Sequence, residues 1–329
     1  MDGRTKIDFN KTRNFGEKIN ITFNYISQNF KSLALSLIYI LAPLMLIGGI
    51  IFSYFMDWYF GFIGSAASGV EPDFSAQDLP MLFVAGLGSV AVAIFAMSLI
   101  VAVVYSHMMI YKENEINPIT VKDVWERTKN EFSGILGFQI GLFMIIAFGS
   151  AIVGGIVIGI PAALESGFLV AMGFIGFFII VAYFSVAVSL CLVIKVNEDV
   201  DFFTAIQRSL HLIRGKWWST FGLVFIMQLI ASMMSYLFAI PFYVMMGVSM
   251  FHSIETGGDP LGAMQDMGIL GIISYTILLF GSYILYSLPA IALAFQYYNL
   301  VEMKEATGLM DKIESMGEAD KSEDADEDY

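Results

Sequence analysis

The chain has 329 residues, 57% of them hydrophobic and 14% charged, with a mean hydropathy of +0.72. Soluble globular domains carry roughly a quarter charged residues, so this composition excludes one large soluble fold and points to an all-α, polytopic membrane protein. Much of the formal charge of −13 sits in the terminal stretch MGEADKSEDADEDY, which reads as a disordered acidic tail.

Cutting the chain at every charged residue leaves six long uncharged runs: 32–56, 79–111, 132–164, 166–194, 217–254 and 267–301. Each exceeds the roughly 20 residues that cross a hydrocarbon core, and none is long enough for two crossings. Six transmembrane helices are expected.

The first unit covers 1–111. Its opening 30 residues are too polar for a cleavable signal peptide, so the first span is expected to direct insertion. Asn14-Phe-Gly-Glu17 has the form of a capping box. Phe15, Ile19, Phe23, Ile26 and Phe30 then recur at helical spacing, which predicts an amphipathic helix over 15–30 ahead of the first hairpin. The second unit, 112–196, repeats the pattern. Thr120-Val-Lys-Asp123 is a weaker box, Val121, Val124, Trp125 and Phe132 supply the apolar face, and the helix is expected over 119–133. Its hairpin closes in a tight turn, Pro161 to Gly167. The third unit, 197–301, has Asp201 as N-cap. Phe203, Ile206, Leu210, Ile213 and Trp217 mark a helix over 202–216. Residues 302–329 form the acidic tail.

Such helices are too charged to span and too apolar on one face to float free, so they are expected to lie in the membrane interface. The chain therefore reads as three tandem units, each an interfacial elbow helix followed by a transmembrane hairpin. Orientation follows from the basic residues. The N-terminal segment holds six Lys/Arg, 112–133 four, 195–216 four and the C-terminal tail three, which is every one of the 17. The alternate loops, 57–78, Glu165 and 255–266, carry only acids. Both termini are expected in the cytoplasm.

The third elbow, AIQRSLHLIRGKWWSTFGLVFIMQL, concentrates cations and indoles before a charge-free run. Gly215 offers the freedom a bend needs. Trp217 and Trp218 suit headgroup depth, and Arg208, Arg214 and Lys216 are expected to face anionic lipid at about 1 kcal/mol each. Trp125 and the Tyr297–Tyr298 pair are further candidate anchors at the interface. Anionic headgroups are the expected partners, a protein partner is the other class considered, and no nucleic acid is expected.

Chemistry is sparse. His107, His211 and His252 are far apart, no H-E-x-x-H spacing exists, and Cys191 stands alone, so no metal, cofactor or catalytic residue is expected. The six runs hold no Asp, Glu, Lys or Arg of the kind coupled transporters carry. Gln139, Gln228 and Gln296 read as interhelical hydrogen-bonding groups. Pro161 and Pro241 fall at nearly equivalent positions of their units, which suggests a shared kink. Gly137-x-x-x-Gly141 and Gly155-x-x-x-Gly159 suggest close packing of the third span.

AIQRSLHLIRGKWWSTFGL resembles the Ala, Arg-Ser and Gly-x-x-Trp elbow of bacterial multi-pass proteins related to the membrane domain attached to some glycerophosphodiester phosphodiesterases. FQYYNLVEMKEATGL (Phe295 to Leu309) resembles that family's closing segment. The resemblance implies the multi-span layout. It does not carry the hydrolase activity, because the catalytic barrel needs some 200 residues or more and 302–329 cannot supply it. The reading that results is a non-enzymatic protein of the bacterial cytoplasmic membrane with a structural, lipid-associating or partner-binding role in envelope maintenance. The alternative is a transporter or permease for a hydrophobic or lipid-like solute.

Overall fold

In lipid every backbone N–H and C=O must be paired internally, which an uncharged run achieves by becoming a helix. The computed structural model of the protein describes residues 6–67, 78–113, 118–257 and 268–306, and among them there is no strand. The helices are α1 (Phe15–Ala67), α2 (Asp78–Glu113), α3 (Val121–Gly154), α4 (Ile160–Ala163), α5 (Gly167–Ala187), α6 (Cys191–Glu198), α7 (Phe202–Ile213), α8 (Trp217–Glu255), α9 (Gly268–Leu285) and α10 (Ser287–Glu305). A π-turn, Gly155–Gly159, joins α3 to α4. Six stretches among the described residues are long and apolar enough to cross a membrane: Phe15–Ser65, Phe83–Glu113, Val121–Ala163, Gly167–Glu198, Trp217–Glu255 and Gly268–Glu305.

Helix starts follow local chemistry. Glu17 N–H donates to Asn14 Oδ1 at 2.9 Å while Asn14 N–H donates to Glu17 Oε2 at 2.8 Å, a complete capping box. Thr120 and Asp123 form the same reciprocal pair. Asp201 accepts from the N–H groups of Phe203 and Thr204. The turn between α4 and α5 is short, with Ser166 as N-cap.

Two of the three expected elbows are corrected. Residues 15–30 and 119–133 are not separate helices; they are the opening turns of α1 and α3, which run on into their spans. Between Glu17 and Pro43 there is neither glycine nor proline to stop α1. At 53 residues α1 is about 80 Å long, far beyond a hydrocarbon core of about 30 Å. Only the third unit breaks. Arg214 (φ −55, ψ 122) and Gly215 (φ +80), closed by Lys216 N–H donating to Ile213 O at 2.8 Å, have the signature of a type II turn. Part of the expected outer loop 57–78 is also helical, since α1 continues to Ala67; residues 68–77 and the greater part of 255–266 lie outside the described residues.

Pro161 and Pro241 do not share a local structure. Pro161 follows the π-turn, whereas Pro241 lies inside α8. Nor do the expected glycine pairs make the tightest contacts. Nothing lies near Gly137, Gly155 or Gly159, and Gly141 meets the Phe202 ring. The closest approaches are Gly49 on Thr276, Gly281 on the Phe238 ring and Gly173 on the Val157 carbonyl, where an added Cβ would come within 1.9, 2.0 and 2.1 Å.

α10 is the hub, packing on α1, α2, α6, α7 and α8. Nearly all of its residues from Ser287 to Leu300 are buried, as is most of α2 from Ala96 to Ile110. Burial is thus gathered at the ends of the helices that carry the basic residues. Elsewhere large apolar side chains stay exposed. On α5 they include Phe168, Phe178 and Ile179, which need no protein cover in lipid.

Candidate functional site at the basic ends of the helices

Before α1, the chain folds back under the bundle and buries Ile7 and Phe9. Phe9 packs on Phe295 and Tyr298 at centroid distances of 5.3 and 5.1 Å, and Tyr25 adds Tyr111 at 5.3 Å. Polar groups close the edge of this ring cluster. Ile7 N–H donates to Tyr111 Oη at 3.1 Å, and Arg13 N–H donates to Asn299 Oδ1 at 2.6 Å. Burial lowers the Arg13 pKa, with Asp8 and Glu17 pulling the other way.

Lys18, only 3% exposed, lies one helical turn further along α1. Its ammonium donates to Gln296 Oε1 and to Ser219 Oγ, both at 2.8 Å, and Gln296 Nε2 donates to Thr220 Oγ1 at 2.9 Å. The amide is therefore satisfied at both ends, and it joins α1, α8 and α10 in one step. Gln296 and Asn299, three residues apart, lie on the same face of α10. His107 is buried between Tyr25 Oη (2.6 Å) and Ser32 Oγ (2.9 Å), one partner donating and the other accepting.

A second network surrounds the turn at Gly215. Arg208 Nε donates to both carboxylate oxygens of Glu198 at 3.1 Å, and its terminal nitrogens grip Glu305. Tyr297 Oη donates to the same Glu198 at 2.8 Å, and Tyr298 Oη donates to Asn197. The Glu305 contact, opposed by desolvation and joined by Glu198, raises the Arg208 pKa above its already high value. Lys304 donates to the carbonyls of His211 and Arg214, which a helix C-terminus leaves unpaired. That cation is why α7 can stop here. Each N-cap contact of Asp201 favours its ionised form, with Thr204 the leading cause of its lowered pKa.

The sequence-predicted residues therefore separate. Arg208 is an ion-paired strut instead of a lipid-facing cation, because Glu198 and Glu305 arrive from α6 and α10. Tyr297 and Tyr298 are buried hydrogen-bonding residues instead of surface anchors. Trp217 is partly buried, stacked on Tyr183 and Phe221, with Nε1 donating to Tyr183 O at 3.1 Å. Arg214, Gly215, Lys216 and Trp218 are exposed, Trp218 at 77%. Trp125, 43% exposed, sits apart on α3 with Lys129 over its ring. Lys18, Glu198, Asn299 and Glu305 were not singled out by the sequence; the polar pair Gln296 and Asn299 at the end of an uncharged run was the signal available. Among the described residues no three His, Cys, Asp or Glu side chains converge as metal ligands.

Six apolar helices locked at one end by a polar network define the class: a helical, multi-span membrane protein. The chain belongs to the family described as a domain of unknown function (DUF8558), which matches residues 75–284. No curated protein and no solved structure matches it.

Proposed function

We propose that the protein is a non-enzymatic component of the bacterial cytoplasmic membrane that associates with lipid at its basic face, in a structural or partner-binding role in envelope maintenance. One observation carries this reading. After α7 has buried Ala205, Ser209, Leu212 and Ile213, its other face still exposes Phe203 at 69% and Leu210 at 44%, beside exposed Arg214, Lys216 and Trp218. Apolar side chains and cations side by side suit the headgroup boundary. The basic side is the cytoplasmic one in this proposal, from the distribution of Lys and Arg. In this proposal the three tandem units remain as three helical entries from the basic side, with an elbow in the third. Kinship with the membrane domains attached to glycerophosphodiester phosphodiesterases belongs to the same proposal.

A second reading, transport of a lipid-like solute, is favoured by a cleft of 350 Å³ where the three units meet, lined by residues of α2, α3, α5 and α10 among others.

Lipid retained through mild purification tests the first reading. Anionic lipid is expected to be enriched, and Arg214→Ala with Lys216→Ala to remove about 2 kcal/mol of attraction, less as salt rises. Loss of cellular function from Arg214→Lys alone, with stability and insertion intact, would instead require a bidentate guanidinium ligand and overturn the reading. Orientation is checked separately in a Cys191→Ala background. An impermeant thiol reagent added outside should label Ser166→Cys and leave Asp199→Cys untouched.

A further inference from the structure

The cleft where the three units meet carries more than its volume. Five polar side chains stand in its wall: Tyr105 of α2, Gln139 of α3, Ser185 of α5, Ser189 between α5 and α6, and Tyr286 between α9 and α10. No hydrogen bond to any described residue engages any of the five side chains. Ser189 Oγ is buried without a partner, and Tyr105 is only 3% exposed. Buried hydroxyls are normally paired, so the orphaned Ser189 Oγ asks for a donor or acceptor from outside the chain, and four further polar side chains with no bond to a described residue share its space. Every helix-breaking turn in the wall adds to this. The fourth and sixth spans are both interrupted there, by the turns Ser189 N–H to Val186 O and Tyr286 N–H to Tyr283 O. Discontinuous helices recur around solute sites in membranes, and both breaks fall in this wall.

The rest of the wall is apolar and includes Met97, Val101, Phe143 and Ile146, and no charged side chain lines it. A charged headgroup placed there would lose its hydration without gaining a counter-ion. Ile146 also lines a second groove of 180 Å³ between α3 and α5, walled mainly by Ile145, Gly149, Val153, Ile180, Val181 and Phe184, with Ser150 its polar side chain. From Gln139 to Val153 the helical rise amounts to about 21 Å, more than the roughly 15 Å of one leaflet in a hydrocarbon core about 30 Å thick. One end of the combined space is polar and uncharged. The other fits a hydrocarbon chain.

We infer that this space is a binding site for a neutral membrane lipid, an amphiphile with a hydroxyl or ester head and no phosphate. The head bonds to Tyr105, Gln139, Ser189 and Tyr286, and the chain lies between α3 and α5. The inference rests on the lipid-associating reading but names a different place, ligand and chemistry from the basic face.

The test reconstitutes the full chain in phosphatidylcholine vesicles. One sample contains a diacylglycerol probe with a photoactivatable group on its chain; a second contains phosphatidylglycerol carrying the same group. Crosslinks from the diacylglycerol probe should concentrate on residues 145–153 and 180–184 and be competed by unlabelled diacylglycerol. Gln139→Leu with Ser189→Val should weaken that competition about tenfold, the scale of one or two lost hydrogen bonds. Competition in the unmodified protein needs no variant, so a folding defect cannot disguise the answer. Equal, competed labelling of the same segments by phosphatidylglycerol would overturn the neutral-head assignment. Diffuse, uncompeted labelling of every exposed face would overturn the site while leaving general lipid association standing. Absence of any retained or crosslinked lipid would overturn both.

Discussion

The two ends of this molecule are built on different principles. At the basic end, α1, α2, α6, α7 and α10 bury rings and an ammonium and pair two partly exposed carboxylates, in a network that spans most of the chain length. At the other end, α5 and the second half of α3 leave most of their apolar side chains uncovered. Contact there depends on small residues, as where Gly173 admits the Val157 carbonyl. In a bilayer the uncovered apolar surface is already in its preferred solvent, so burying it gains little. Polar pairing and close fit then have to specify which helices meet, and both are concentrated at the basic end.

That contrast can be broken by substitution. The largest effect is expected from Phe295→Ala, which opens a cavity beneath Phe9 and Tyr25 and should cost about 3–5 kcal/mol. Unfolding midpoints in detergent would measure it. Gln296→Leu comes next, at about 1.5–3 kcal/mol for a lost bond to a charged group. Lys18→Met should recover part of that loss in the double variant, and strict additivity would mean that the two side chains do not act together. Gly215→Val should cost about 1–2 kcal/mol, because a β-branched residue resists a left-handed backbone. Gly137→Ala, inside α3 with open space around it, should be neutral or stabilising.

A smaller effect concerns pH. The caps hold Asp201 below its ordinary pKa of 3.8, so its contribution is present above that value and fades as pH falls through the lowered one. Amide protection in α7, relative to the intrinsic exchange rate at each pH, should fall below about pH 4. In Asp201→Asn, which keeps a capping oxygen, that acid step should vanish. Least of all, Phe178→Ala on the uncovered face of α5 should change stability by under about 0.5 kcal/mol. A loss there matching that of Phe295→Ala would erase the distinction between the two ends.

The six spans, their starts at Asn14, Thr120 and Asp201, and the turn at Gly215 were legible because each depends on neighbours within a few residues. Continuity of α1 and α3 was not, although the lack of a breaker after Glu17 pointed that way. The roles of Arg208, Tyr297 and Tyr298 were misjudged for a different reason. Their partners, Glu198, Glu305 and Asn197, lie up to 101 residues away, and a cation beside tryptophans looks the same in sequence whether it meets lipid or a carboxylate. The cleft was hidden too, since Gln139, Ser189 and Tyr286 share no spacing and meet only when the second and third units pack.

The pairing of Lys18 with Gln296 also sets a timetable. The two residues are 278 positions apart, so at a synthesis rate of about 5–20 residues per second the ammonium precedes its acceptor by roughly 15–60 s. Throughout that interval Lys18 has to remain hydrated at the headgroups while later helices leave the ribosome. Arrival of α10 then withdraws it from water and seals the rings of Phe9 and Tyr25 in the same movement. The arrival of α10 is thereby written into the chemistry of α1. Ribosome-bound chains arrested before Ser287 should show Lys18 to an amine-reactive reagent, and released full-length chains should shield it.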